Sequence, residues 1–144
     1  ADYFKNLFRV SKNQIIWGAN YMTNHIPPSP CWLLWDKRFS EDVTFAQFEM
    51  AWTSFKSSAK KYDKRATQLN RIHPTQKPVS LYEWILDKYA KEGDKILDTH
   101  LGSGSIAIAC HNLGYDLRAC ELDKEYFDKA IKRLKEHTAQ LQLF

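Results

Sequence analysis

The stretch that most narrows the choice of fold runs from Lys95 to Glu121. Lys95-Ile96-Leu97-Asp98 is a short apolar run ending in an acid, followed after three residues by Gly102-Ser103-Gly104. The small-residue segment from Ser105 to Leu113, closed by Gly114, then predicts a helix, and Leu117-Arg118-Ala119-Cys120-Glu121 predicts a second strand ending in a second acid. Strand, helix and strand in succession demand a crossover and hence parallel pairing, the mark of an α/β domain. Glycines at the C-terminal end of a strand let the backbone approach a ligand. An acid ending the next strand, here seventeen positions after Gly104, can accept hydrogen bonds from ribose hydroxyls. The third glycine of a Gly-x-Gly-x-x-Gly pattern is absent, which argues against a dinucleotide. Asp98 would face the amino end of a ligand lying across the strand ends. The plainer alternative is that Gly102 and Gly104 only make a tight turn and Glu121 is a solvated strand end. Turn, strand-end acid and βαβ context together favour the ligand site.

The other elements fit the same class. Phe4, Leu7 and Phe8 share one face of a helix already under way at the first residue. Gln14 to Ala19 and Cys31 to Trp35 read as buried strands, separated by a loop with Pro27, Pro28 and Pro30. Ser40 can cap a short helix through Phe45, and Phe48 to Phe55 reads as a third strand. The prolines of His73-Pro74-Thr75-Gln76-Lys77-Pro78 suit a rigid loop. Leu81, Trp84, Ile85 and Tyr89 recur at helical spacing up to Gly93. A last helix spans about Glu125 to His137, with Phe127, Ile131 and Leu134 inward and Lys129, Lys132, Arg133 and Lys135 mostly outward. Five strands are counted in all, in a mixed, mainly parallel sheet flanked by helices.

A content of 44% hydrophobic and 14% aromatic residues in a chain of 144 provides surface enough for one globular core and excludes wholesale disorder. No apolar run reaches membrane-spanning length and no signal-peptide pattern opens the chain, so a soluble cytoplasmic protein is expected. Cys31, Cys110 and Cys120 are too widely spaced for a metal site and read as reduced, buried thiols. Charge is unevenly distributed. Lys56, Lys60, Lys61, Lys64, Arg65 and Arg71 stand against Asp63 alone between positions 56 and 71, so this segment nets +5 while the whole chain nets +4. Such a confined excess fits a polyanion contact, with Ser57, Ser58 and Gln68 adding phosphate or base contacts. Its alternative is a solvated helix with scattered lysines.

The set His73-Pro-Thr-Gln-Lys77-Pro78, Asp98-x-x-x-Gly102-Ser103-Gly104-Ser105 and Glu121-Leu-Asp123-x-x-Tyr126 resembles the cofactor-binding half of DNA amino-methyltransferases. The order resembles the permuted class in which the target-base half precedes the cofactor half. Ile15 to Tyr21, Trp35-Asp36-Lys37 and Ala51 to Phe55 are similar to small phage-type adenine-specific members. The resemblance implies a Rossmann-like, S-adenosylmethionine-dependent methyltransferase fold over one domain, 1–144. Its parts would be a target-side half (1–55), a short basic DNA-contacting segment (56–72) and a cofactor-binding half (73–144). It also implies S-adenosylmethionine as cofactor, double-stranded DNA as partner, and methyl transfer to an exocyclic base amine, adenine favoured over cytosine. Asp98, Gly102, Ser103 and Gly104 would then face the methionine part and Glu121 the ribose. Lys77 would pair with the cofactor carboxylate, with His73 and Thr75 beside it. Asp123 would lie next to this site or serve as the N-cap of the last helix.

The family holds its target amine with an (Asp/Asn/Ser)-Pro-Pro-(Tyr/Phe) loop, whose acceptors aim the nitrogen lone pair and whose aromatic ring stacks on the flipped base. Here Pro-Pro occurs only in Ile26-Pro27-Pro28-Ser29, with no acceptor before it and no aromatic after it. It is therefore read as a structural loop, and no residue is assigned as catalytic or as a metal ligand. Asn20, before Tyr21, is the nearest rival. Methyltransferases of this kind have seven strands, and one of the two not counted here lies between the strand of Asp98 and that of Ile15-Ile16. The expectation is an incomplete sheet, inactive alone, completed by an N-terminal segment or in a homo-oligomer. The alternatives are a non-catalytic cofactor- or DNA-binding remnant and a small-molecule methyltransferase.

Overall fold

The computed structural model describes residues 2–38, 47–64 and 76–142. The expected helix at Ser40 to Phe45, and His73, Thr75, Arg65, Arg71 and Gln68, lie outside them. The chain divides into two compact units, Ala1–Ala66 and Thr67–Phe144.

The first unit contains helix α1 (Asp2–Val10) and strands β1 (Ile15–Trp17), β2 (Trp32–Asp36), β3 (Phe48–Thr53) and β4 (Lys60–Asp63), with 3₁₀ turns at Ala19–Tyr21 and Thr23–His25. Sheet order is β1-β3-β2-β4: β3 runs antiparallel to both neighbours and β4 parallel to β2. Alternation along β2 buries Leu33 and Trp35 completely, each burial worth roughly 1.5–3 kcal/mol. Phe4 of α1 joins Ile16, Ala19 and Trp52, and Leu7 and Phe8 pack against them, as the helical spacing predicts. The proline loop is tied to this core. Trp52 Nε1 donates to the Pro27 carbonyl at 2.8 Å and the Cys31 N–H donates to Ser29 Oγ at 3.2 Å.

Strand β4 is a correction, making six strands among the described residues rather than five. Lys60-Lys61-Tyr62-Asp63 lacks an apolar period because it is an edge strand, paired among the described residues with β2 alone. The Lys64 carbonyl receives Trp35 Nε1 at 2.8 Å, which fixes its end.

The second unit contains α2 (Val79–Tyr89), β5 (Lys95–Asp98), α3 (Ser105–Leu113), β6 (Asp116–Ala119) and α4 (Lys124–Gln142). Helix α2 ends at Tyr89, short of Gly93, which takes φ 87° in the turn into β5. Strands β5 and β6 are parallel, with Asp98 opposite Ala119. Ile96 and Leu117 pack on Leu86, Ala109 and Cys110 of α2 and α3. Helix α4 keeps Ile131 and Leu134 half-buried and Lys129, Lys132 and Lys135 exposed, as expected, but departs from expectation elsewhere. Ala130 is its buried residue, Phe127 is 37% exposed, and Arg133 points inward. The reason is close packing against the turn before α3, which leaves room only for a small side chain. All three cysteines are free, but Cys120 is exposed, against the expectation of three buried thiols. No helix among the described residues is long and apolar enough to cross a membrane.

Candidate functional site at the ends of strands β5 and β6

The parallel register brings the C-terminal ends of β5 and β6 side by side. The Cys120 N–H donates to the Asp98 carbonyl at 3.0 Å and the Leu101 N–H to the Cys120 carbonyl at 2.9 Å, which folds the loop after β5 over the end of β6. Gly102 (φ 56°) and Gly104 (φ 81°) occupy the left-handed region where a side chain is strained. A Cβ on Gly104 would lie 3.0 Å from Ala130 Cβ. Gly104→Ala therefore adds a clash to a dihedral penalty of about 1–2 kcal/mol. It is expected to lower the urea midpoint more than Gly93→Ala, where φ is also positive but nothing lies within 4 Å. Equal midpoints would show that α4 yields freely.

Glu121 is the acceptor that organises the turn. Its Oε1 receives the Gly102 N–H at 2.8 Å and its Oε2 the Asp123 N–H at 2.9 Å. Neither solvated nor idle, the carboxylate grips the glycine-rich loop and the start of α4 together.

Asp98 stands at the mouth of the turn, with Oδ1 accepting the His100 N–H at 2.9 Å. Burial pushes its carboxyl above the usual range; the His100 N–H and the charges of His100 and Lys77 oppose this, while Glu121 adds to it. Lys77 is thus close enough to Asp98 for its charge to act there. The arrangement places an ammonium, a carboxylate and an acceptor acid about the glycine-rich turn, which suits a ligand with a zwitterionic end and a hydroxylated ring. Asp123 takes the second of its two expected roles: its Oδ1 receives the Tyr126 N–H at 3.1 Å as the N-cap of α4. Ser103 is 5% exposed and turned inward. Arg133, expected to point outward, donates through Nη1 to Ser105 Oγ at 2.9 Å and to the Ser103 carbonyl at 3.1 Å. Sequence reasoning missed this contact, since Arg133 sits among lysines.

Of the basic segment, Lys56, Lys61 and Lys64 are exposed. Lys61 is paired with Asp63 at 3.4 Å and Asp36 at 3.9 Å, and Lys60 donates to Ser58 Oγ at 3.4 Å. Surface pairs of this kind are weak enough to exchange for phosphate. Asn20 and Tyr21 are exposed, Tyr21 by 83%.

Comparison with known proteins gives this arrangement a context. A family model described as DNA methylase, covering N6 and N4 amino methylation, matches residues 9–132. The chain belongs to the N6/N4 DNA methylase family. Among curated relatives, the Type II methyltransferase M2.DpnII of Streptococcus pneumoniae is 40% identical over 62% of this chain and 31% of its own length. The Type II methyltransferase M.HpaI of Haemophilus parainfluenzae is 40% identical over 43% of this chain and 20% of its own. The chain thus spans a third or less of the length of these relatives. The crystal structure of the M1.HpyAVI–SAM complex aligns with 92% of this chain and 81% of its own, with a TM-score of 0.74 and 19% identity. That likeness establishes the fold, a Rossmann-like α/β methyltransferase fold.

Proposed function

We propose that this N6/N4 methylase chain forms the cofactor-binding and target-side part of a cytoplasmic, phage-type DNA methyltransferase of permuted order, acting on an exocyclic amine, adenine rather than cytosine. The observation that carries the reading is the Glu121 grip on the glycine-rich turn beside Asp98 and Lys77. S-adenosylmethionine, when bound, supplies an electrophilic methyl. Asp98 meets its amino group and Lys77 its carboxylate, with His73 and Thr75 alongside, while Glu121 takes the ribose hydroxyls. Gly102 and Gly104 supply the left-handed backbone of the turn, with Gly104 also admitting Ala130 of α4, and Ser103 and Asp123 support the turn from behind. Lys56, Lys60, Lys61, Lys64, Arg65 and Arg71 contact the phosphates of double-stranded DNA.

The catalytic Pro-Pro-aromatic loop is assigned to a segment not contained in these 144 residues, supplied by the same polypeptide or a second copy. Support comes from the use of the Pro27 carbonyl by Trp52, which leaves the one Pro-Pro of the chain engaged in the core. Among the described residues, strands β1 and β5 each stand at an edge of their own sheet, so each can pair with a further strand.

The test has two parts. Calorimetric titration with S-adenosylmethionine should give saturable binding that Lys77→Met weakens, and no binding overturns the cofactor reading. Neutralising Lys60, Lys61, Lys64 and Arg65 should weaken duplex binding alike for all sequences and flatten its salt dependence, by up to about 0.9 log unit for each phosphate no longer neutralised. Impaired sequence discrimination with an unchanged slope would instead make these residues base readers. Negligible duplex affinity at low salt in the unaltered chain would favour a small-molecule substrate.

A further inference from the structure

Arg133 lies midway along α4, between Lys132 and Leu134, yet its guanidinium is drawn away from solvent to the turn between β5 and α3. Nη1 donates to Ser105 Oγ at 2.9 Å and to the Ser103 carbonyl at 3.1 Å, with Ser103 Oγ at 3.5 Å. The two serine hydroxyls are themselves 3.2 Å apart and both are buried. Burial pushes the guanidinium down from its ordinary value, and no carboxylate among the described residues offsets that cost. A surface arginine would keep its head in water. One withdrawn from it to bond a carbonyl and two hydroxyls is held for the geometry it imposes, because hydrogen bonds from a charged donor are the stronger kind.

We propose that Arg133 is a positioning residue for the cofactor site, acting through the Ser103 carbonyl and the Ser105 hydroxyl to set the path of the glycine-rich turn. The inference rests on the reading of that turn as the seat of the methionine part of S-adenosylmethionine. Two restraints converge there on neighbouring residues of the loop. Glu121 holds the Gly102 N–H, while Arg133 holds the Ser103 carbonyl, one residue further on. Between Arg133 and Glu121 the loop is fixed by both its donor and its acceptor groups. The close approach of Gly104 to Ala130, one turn before Arg133 on the same helix, brings α4 near enough for the guanidinium to reach. Removing Arg133 therefore frees the part of the turn nearest the amino-acid end of the ligand and leaves the ribose acceptor in place.

The experiment compares the 144-residue chain with its Arg133→Met, Arg133→Lys and Ser105→Ala variants by calorimetric titration with two ligands. These are S-adenosylmethionine and 5′-methylthioadenosine, which keeps the nucleoside and sulfur but has no amino-acid end. Arg133→Met should bind S-adenosylmethionine roughly ten-fold or more weakly, on the scale of one charged hydrogen bond removed. Its affinity for 5′-methylthioadenosine should stay within about two-fold of the unaltered chain. Arg133→Lys, which retains charge and donors on a shorter reach, should recover part of the loss. Equal weakening for both ligands would reveal general loosening of the unit, and unchanged affinity for both would leave Arg133 without a role at the site; either overturns the proposal. If Arg133→Met does not fold by circular dichroism, the lysine and Ser105→Ala variants carry the same ligand comparison. Failure of the unaltered chain to bind S-adenosylmethionine overturns the cofactor reading itself and this assignment with it. Binding by the unaltered chain and Arg133→Met alike overturns the assignment alone.

Discussion

Mixed with duplex DNA and tritiated S-adenosylmethionine, the 144-residue chain should transfer no label above background, whereas a polypeptide that also carries a Pro-Pro-aromatic segment should transfer it readily. Amine methylation needs the nitrogen of a flipped base held in line with the methyl, and such positioning is worth ~7–11 kcal/mol of barrier. That corresponds to a rate difference of roughly 10⁵-fold or more. Among the described residues, most candidate acceptors are already engaged. Asp98 and Glu121 face the proposed cofactor, and Asp36 accepts the Arg38 N–H at 2.8 Å at the end of β2. The Pro27 carbonyl is bonded to the Trp52 indole. Asn20 is exposed beside Tyr21 and is the remaining rival. The decisive comparison sets the chain alone against the chain supplied with the absent segment. Transfer by the chain alone that Asn20→Ala abolishes would relocate the catalytic centre to the 3₁₀ turn at Ala19–Tyr21.

Glu121→Ala should cut S-adenosylmethionine affinity by roughly ten- to 150-fold, the equivalent of about 1.5–3 kcal/mol for hydrogen bonds to a charged group. The effect has two sources. The ribose hydroxyls lose their charged acceptor, and the Gly102 and Asp123 N–H groups lose the oxygens they meet at 2.8 and 2.9 Å. Glu121→Gln separates them in part, since an amide presents one accepting oxygen and turns its NH₂ toward a donor. Titration of both variants, each paired with a urea unfolding curve, reads binding and stability independently. Undiminished affinity in Glu121→Ala would remove this carboxylate from the ligand site.

Elements whose own residues carry their reason were legible in the sequence. Glycines before a small-residue helix, and an acid after the next strand, specify strand, turn and helix locally, and β5, α3 and β6 follow that order. Helix α1 was visible because Phe4, Leu7 and Phe8 share a face. Strand β4 was not, because its pairing with β2 depends on partners distant in the chain and its own side chains have no apolar rhythm. The burial of Ala130 rather than Phe127 on α4 was hidden for a related cause. Phe127, Ile131 and Leu134 outweigh Ala130 in hydrophobicity, but the space above Gly104 admits only a methyl. Arg133 reads as one more cation beside Lys129, Lys132 and Lys135 until the turn it holds is in view. Asp123 was open between two roles, and the Tyr126 N–H assigns it to the cap.

The three thiols differ in a way that makes the turn observable. Cys31 and Cys110 are buried, and burial, with the Asp98 charge adding to it, pushes the Cys110 thiol up to about 11, so little of it is thiolate near neutrality. Cys120 is exposed, its sulfur 3.4 Å from the Thr99 carbonyl, between the strand ends that bear Asp98 and Glu121. The folded unit therefore carries a natural attachment point for a maleimide dye one residue from the acid that grips the turn, so that occupancy of the proposed site would be read as a fluorescence change without any engineered cysteine.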